Sequence, residues 1–142
     1  MLAFMFPLEL IASFEPSFLK FYPVYRSNAM AEDFIGLPVW LTTAVYEICY
    51  LLQFFSLEWF YRGFMLLVLG EFLGAGAVWV LVPIYVFGHF TRPLGEAIGS
   101  FFGGYILGVI AYYTRSIFGG VFIHAGVAAI MEILAFWQLH RQ

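Results

Sequence analysis

Charged side chains are scarce in this chain of 142 residues. Aspartate, glutamate, lysine and arginine together make up only 11% of it, whereas they account for about a quarter of a typical soluble domain. Hydrophobic residues reach 63%, and the mean hydropathy is +0.92. This composition excludes an ordinary soluble fold and indicates an integral, multi-pass membrane protein whose first partner is the lipid bilayer.

Cysteine and basic residues are also few. Cys49 is the only cysteine, which excludes an intrachain disulfide and a multi-cysteine metal site. The six lysine and arginine residues are dispersed along the chain, so nucleic acid is not expected as a partner. No basic residue precedes Lys20, so the N-terminus lacks the positive start of a secretory signal peptide, and we expect it to be retained.

The long apolar runs predict helices, because the strict alternation of apolar and polar residues that a barrel strand needs is absent. Four firm membrane spans are expected, with a weaker hydrophobic helix and a polar loop before them. In chain order these are the weaker helix at 3–19, the loop at 21–37, and spans at 38–70, 76–89, 94–113 and 117–139. The predicted fold is an all-α polytopic membrane helix bundle, a single membrane domain over residues 1–142 in which 1–37 form an N-terminal helix and loop.

The first firm span is too long for a straight crossing. At about 1.5 Å per residue it would extend about 50 Å, against a hydrocarbon core of about 30 Å, so it must tilt, protrude or break. If the N-terminal helix also spans, then Lys20, Arg26, Arg92 and Arg141 fall on one side of the membrane and Arg115 on the other. Because basic residues favour the cytoplasmic side, the C-terminus is expected to be cytoplasmic.

Glycines recur at four-residue spacing in the third firm span. Gly95, Gly99 and Gly103 form one series, and Gly104 with Gly108 repeats the interval. Small residues at this spacing allow helix backbones to approach closely within lipid. We therefore expect this helix to pack tightly against a neighbour.

Among the titratable residues that interrupt the apolar runs, four are candidates for a site: Glu58, Arg62, His89 and His124. A charged or titratable group costs a few kcal/mol at bilayer depth, so it usually faces the protein interior and has a function there. Each of these residues also has a purely structural interpretation. Glu58 and Arg62, spaced i, i+4, can form a helix ion pair. His89 can be a polar helix end, and His124 a hydrogen-bonded core residue.

Taken together, these residues suggest chemistry. Helix rises measured from the expected span ends put Glu58, His89 and His124 within about 10 Å of one another in depth, so they can share one layer. A carboxylate and two imidazoles are sufficient to activate a water and stabilise an oxyanion, with or without a metal. No cofactor is required. If a divalent metal is present, Glu58, His89 and His124 are its candidate ligands.

Three short motifs in this order resemble those of the CPBP family of membrane proteases. Residues 57–64, LEWFYRGF, resemble the family's EExxxR motif, Tyr85 to His89 is similar to its aromatic-xxx-His motif, and residues 116–120, SIFGG, lead into His124 as in its HxxxN or HxxxD motif. Glu96 falls where many members carry an acid. The resemblance covers roughly residues 50–135. The family includes type II CAAX prenyl endopeptidases and bacteriocin-processing Abi-type proteins.

The resemblance implies a helical intramembrane endopeptidase that acts on a membrane-associated protein or peptide. It implies that Glu58 and His89 position a water while His124 helps to form the oxyanion site, with Arg62 and Glu96 in support. Two positions depart from the family pattern: Leu57 replaces the first glutamate of the pair, and Ala128 replaces the last Asn or Asp.

Glu58 cannot simply replace a glutamate at Leu57, because one residue along a helix turns the side chain by about 100°. Either a local helix distortion re-aims Glu58, or other groups hold the water, or activity has been lost. Glu132, two turns beyond His124, is a candidate compensating acid. The alternative function is a catalytically impaired membrane subunit that binds a membrane-protein partner. A transporter is a weaker hypothesis, since no inverted repeat is evident.

Overall fold

The protein is described by a computed structural model that covers residues 2–24 and 38–141. The described residues contain helices and no strand, which confirms the all-α prediction. The helices, in chain order, are α1 (Leu2–Ser13), α2 (Phe18–Phe21), α3 (Val39–Glu58), a π-helical segment (Trp59–Met65), α4 (Leu66–Leu73), a 3-10 turn (Gly74–Gly76), α5 (Ala77–Phe87), α6 (Leu94–Thr114) and α7 (Phe118–Leu139). Most of the expected polar loop, including Arg26, lies outside the described residues.

Three helical segments are long and apolar enough to cross a membrane: Trp40–Phe87, Leu94–Thr114 and Phe118–Leu139. They establish an integral membrane protein. At 12 residues, α1 is shorter than the roughly 17–25 residues that a spanning helix needs, and it contains Pro7. The weaker helix predicted at 3–19 is therefore not continuous: α1 ends at Ser13, and a turn separates it from the four-residue α2.

The first of these segments has 48 residues, about 72 Å of helix, and it breaks at Gly74. Gly74 has φ +57°, a conformation that glycine adopts without the steric penalty of a side chain. Leu66, before the break, packs in the same hydrophobic cluster as Val82, after it. In a straight helix these two residues would lie about 24 Å apart. The chain therefore folds back at Gly74, and α4 packs against α5.

The expected helix ends agree closely with the structure where proline or a turn marks them. Pro93 precedes α6, which begins at Leu94, and Arg115, with φ 52°, ends it after Thr114. The π-helical segment was not predicted as such, although a local distortion near Glu58 was one of three expectations. It begins directly after Glu58 and carries Arg62. Isolated π turns of this kind occur frequently at functional sites.

The glycine prediction is right for one series and wrong for the other. A Cβ on Gly104 would lie 2.8 Å from the ring of Tyr85, and one on Gly108 would lie 3.0 Å from Val78. These two glycines give α6 its close approach to α5. A Cβ on Gly95, Gly99 or Gly103 would meet no described residue within 4 Å, because these glycines lie on another face of the same helix.

The described residues divide into two compact units, of which one comprises Met1–Gln53 with Ala125–Gln142. Its core consists of Phe18, Tyr22, Met131, Leu134 and Ala135. The amide of Gln138 donates to the carbonyl and hydroxyl oxygens of Ser13 at 2.7 and 3.0 Å. Burial raises the pKa of Glu9, in α1, to about 7.

The other unit, Phe54–His124, contains the candidate site. Its buried core joins α4, α5 and α6 through Leu66, Ala77, Val78, Leu81, Val82 and Ala111. Three segments of the chain contribute the polar side chains of the candidate site: the end of α3 with the π-helical segment, the end of α5, and the first turns of α7.

Candidate active site

Glu58 is the last residue of α3 and is completely buried, with 0% of its surface exposed. One carboxylate oxygen, Oε1, accepts hydrogen bonds from Arg62 at 2.8 Å and from Nδ1 of His124 at 3.1 Å. A buried carboxylate needs such partners, because burying an isolated charge is very costly. The ion pair that the i, i+4 spacing of Glu58 and Arg62 predicts is present.

Arg62 extends the site from Glu58 to Tyr85. The arginine is itself buried, and its guanidinium lies over the Tyr85 ring, 4.3 Å from the ring centroid. A desolvated cation over an aromatic face is stabilised by the ring quadrupole. Arg62 therefore fixes the carboxylate on one side and the tyrosine on the other.

His124 lies between the carboxylate and the tyrosine. Its Nδ1 donates to Glu58, and its Nε2 is 3.0 Å from the hydroxyl of Tyr85. Because an ionised carboxylate can only accept, Nδ1 is assigned as the donor to Glu58, and in that tautomer Nε2 is placed to accept from the Tyr85 hydroxyl. The ring of Phe54 packs against the imidazole at 4.6 Å between centroids. The site thus contains the ordered array carboxylate, imidazole, hydroxyl.

His89 reaches the site less directly than expected. It lies in the turn after α5, where its Nδ1 donates to the backbone carbonyl of Tyr85 at 2.9 Å and its ring packs on the Tyr85 ring at 4.6 Å. Within the described residues it shares no hydrogen bond with Glu58. Partial burial lowers the pKa of His89, which favours the neutral ring with Nε2 as acceptor.

The second oxygen of Glu58 is the unusual atom of the site. Oε2 is buried and has no hydrogen-bond partner among the described residues. It points at the backbone of Gly120, where a Cβ would overlap the oxygen. Gly120 therefore makes room for the carboxylate, whose Oε2 is a buried acceptor without a partner among the described residues.

A small cavity adjoins these residues in the same unit. Its volume is about 10 Å³, close to what a single water requires. Arg62, Tyr85 and Tyr61 supply its polar side chains, and Gly104 and Gly108 supply part of its wall. Glu58, His89 and His124 are not among its lining residues. Among the described residues, no group of three or more His, Cys, Asp or Glu side chains could hold a metal ion.

The family model for "Type II CAAX prenyl endopeptidase Rce1-like" matches residues 38–130, well over half of the chain. The chain belongs to this family. The match confirms the CPBP resemblance, and with it the membrane protease fold. No curated protein and no solved structure matches the chain.

The two positions that depart from the family pattern, Leu57 and Ala128, lie in different units and differ in burial. Leu57, at the position of the first motif glutamate, is 37% exposed, whereas Glu58 beside it is fully buried. The acid that this chain keeps is therefore the one that faces the interior. Ala128, at the position of the last motif Asn or Asp, is buried and belongs to the other unit.

The two supporting acids have partners of their own. Glu132 accepts the backbone N–H of Val24 with both carboxylate oxygens, at 3.0 and 3.2 Å, and lies in the unit with Ala128. This contact indicates a structural role for Glu132. Glu96, in the first turn of α6, lies 4.0 Å from Arg92 in a partly exposed ion pair.

Sequence reasoning missed two residues of this family member's site. The sequence marks Tyr85 only as the aromatic residue of the second motif, whereas in the structure its hydroxyl bonds to His124 and its ring contacts both Arg62 and His89. It marks Gly120 only as part of the approach to His124. The available signal was a tyrosine, rather than a phenylalanine, one turn before a titratable residue inside an apolar helix.

Proposed function

We propose that this protein is an intramembrane endopeptidase that hydrolyses a peptide bond in a membrane-associated protein or peptide by means of an activated water. The observation that carries the proposal is the contact of the fully buried Glu58 with the partly buried His124, at 3.1 Å, in a member of a membrane protease family. A carboxylate that orients an imidazole gives that imidazole a defined tautomer and stabilises its protonated form.

The roles follow from the hydrogen bonds. Glu58 keeps the proton on Nδ1 of His124, so Nε2 is the basic nitrogen that finally receives the proton of the attacking water. Glu58 then stabilises the imidazolium, and the 2.8 Å contact with Arg62 holds the Glu58 carboxylate in place. His89, with its Nδ1 bound to the Tyr85 carbonyl, presents Nε2 as an acceptor that orients the water.

A finer membrane topology belongs to the same proposal. The reversal at Gly74 allows the first apolar segment to enter the bilayer twice, although the 11-residue α5 alone is too short to cross it, and with α6 and α7 the proposed topology has four membrane helices and a cytoplasmic C-terminus. Single cysteines at Arg115→Cys and Arg141→Cys, in a Cys49→Ser background, test this. Only Arg141→Cys should react with an impermeant maleimide from the cytoplasmic side, and labelling of both from one side would contradict the topology.

The activity is tested with purified protein in liposomes and a fluorogenic prenylated CAAX peptide as the probe. Glu58→Gln and His124→Ala should each lower the cleavage rate by about 100-fold or more, because each removes half of the proton-accepting pair. Glu71→Gln and His140→Ala alter exposed residues of the same types and should stay within about twofold of the parent. Equal rates in all four variants would refute the proposal.

The second candidate is a catalytically impaired membrane subunit. It is favoured by the fact that Oε1 of Glu58 is bonded to both Arg62 and His124, and His124 to Tyr85, while the small cavity is not lined by Glu58. Wild-type protein that cleaves the probe no faster than Glu58→Gln would support this candidate over the protease.

A further inference from the structure

The Tyr85 hydroxyl occupies the position on His124 from which the imidazole would act. It lies 3.0 Å from Nε2, the nitrogen that Glu58 leaves basic by holding the proton on Nδ1. Any proton that reaches or leaves Nε2 along this direction must therefore pass through the tyrosine. A hydroxyl, an imidazole and a carboxylate in this order form the arrangement in which a base and its orienting group act on an O–H.

Three contacts hold the tyrosine in this place. The Arg62 guanidinium covers one part of its ring at 4.3 Å, the His89 ring packs on it at 4.6 Å, and Tyr61 meets it edge-on at 6.0 Å. Gly104 allows α6 to approach the ring closely, since a Cβ there would lie 2.8 Å from it. With the ring fixed on four sides, the hydroxyl is preorganised, which is what transition-state stabilisation requires.

The space beside the tyrosine fits one reacting molecule. The cavity of about 10 Å³ has room for about one water, and Tyr85 and Arg62 are among the residues that line it. The chain also lacks a polar side chain at Ala128, where the family pattern has Asn or Asp. The Tyr85 hydroxyl, in contact with His124, is an O–H that can donate to a developing oxyanion.

We propose that Tyr85 is a catalytic residue of this protease, which relays the proton of the attacking water to His124 and then donates a hydrogen bond to the oxyanion. This inference rests on the proposed endopeptidase function. A water gives one proton to the tyrosine oxygen while the tyrosine proton passes to Nε2 of His124. The water oxygen forms a bond to the carbonyl carbon, and the carbonyl π pair moves onto its oxygen.

In that intermediate, doubly protonated His124 donates through Nε2 to the tyrosine oxygen, so the tyrosine O–H is available to the oxyanion. When the C–N bond breaks, the leaving nitrogen takes the tyrosine proton and Tyr85 recovers a proton from Nε2. His124 returns to its neutral form, and the products are one carboxylic acid and one amine. No other reactant is needed.

The test compares Tyr85→Phe with Tyr113→Phe, which removes the same hydroxyl from an exposed residue of α6. With the prenylated CAAX peptide in liposomes, Tyr85→Phe should lower kcat by about 100- to 1,000-fold and leave KM within about twofold, since only a transition-state contact is lost. Tyr113→Phe should match the parent. Unchanged kcat in Tyr85→Phe, together with loss of cleavage in Glu58→Gln, would refute the tyrosine role and leave the protease intact.

A second measurement does not depend on turnover. In ¹⁵N-histidine-labelled wild-type protein in micelles, His124 should show a protonated Nδ1 and an unprotonated, hydrogen-bonded Nε2. Tyr85→Phe should shift the Nε2 resonance, and Tyr113→Phe should not. The opposite tautomer, or a resonance unaffected by Tyr85→Phe, would overturn the relay. Wild-type protein that leaves the peptide uncut would refute the proposed function and this inference with it.

Discussion

Gly120 lies directly against the carboxylate of Glu58, so the smallest added side chain should disturb the site. A Cβ at this position would overlap Oε2 and lie 2.8 Å from the carboxyl carbon. Ordinary contacts begin at 3.4 Å, so the carboxylate or α7 must shift by at least 0.6 Å, the difference between the two distances. Gly120→Ala therefore moves the candidate catalytic acid without changing any polar group.

The size of the effect follows from the bonds that this shift breaks. The contact of Oε1 with Nδ1 of His124 is 3.1 Å, and a displacement of that size takes it outside hydrogen-bond range. The 2.8 Å bond to Arg62 is weakened as well. A hydrogen bond to a charged group contributes about 1.5–3 kcal/mol, and alanine regains about 1 kcal/mol of helix propensity relative to glycine. The net destabilisation should be about 1–4 kcal/mol.

Gly119→Ala is the matched control, because a Cβ there would meet only Ile110, at 3.8 Å. We expect it to unfold at the parent's temperature or slightly above it, and to cleave the prenylated peptide at the parent rate. Gly120→Ala should unfold at a lower temperature in micelles and lose about 100-fold or more in cleavage rate. Equal stability and equal cleavage for the two variants would show that the carboxylate does not pack against α7 and would refute this geometry.

Three further changes test other contacts. Gly104→Ala should displace the Tyr85 ring, lower stability by about 1–3 kcal/mol and slow cleavage, whereas Gly103→Ala, facing open space, should do neither. Glu132→Gln should lower the melting temperature through its backbone hydrogen bonds but leave kcat unchanged; a fall in kcat alone would make it a catalytic acid instead. Because burial raises the pKa of Glu9 to about 7, the stabilisation from its protonated form is present at pH 4 and lost as the pH rises through 7. Glu9→Gln should therefore match the parent in melting temperature at pH 4 and exceed it at pH 8.

The sequence was sufficient wherever a local rule decides the outcome. The ion pair of Glu58 and Arg62 follows from their spacing, and the start of α6 follows from Pro93. Hydropathy located the apolar helices, because backbone groups in lipid must be satisfied within the helix. The contact between Glu58 and His124 was expected only as a shared depth, and the structure brings them to 3.1 Å.

Contacts between distant helices could not be read from the sequence in the same way. The pairing of Tyr85 with His124 and the bare backbone at Gly120 depend on how α5 and α7 are rotated about their own axes. A rotation of one residue, about 100°, would replace both contacts. The π-helical segment could not be predicted for the same reason, because helix packing, and not composition, determines where an extra residue enters a helical turn.

The direction in which each residue of α3 faces also bears on the departure from the family pattern at Leu57. A family motif gives two adjacent glutamates, but adjacent residues on a helix face different directions, so only one of them can point at His124. In this chain the inward position is Glu58, and Leu57 is 37% exposed on the outer side. A leucine suits a surface that meets lipid, where a carboxylate would cost a few kcal/mol. The family pattern credits the first glutamate with activating the water; in this chain the carboxylate that contacts the imidazole, which in turn contacts the Tyr85 hydroxyl, is that of Glu58.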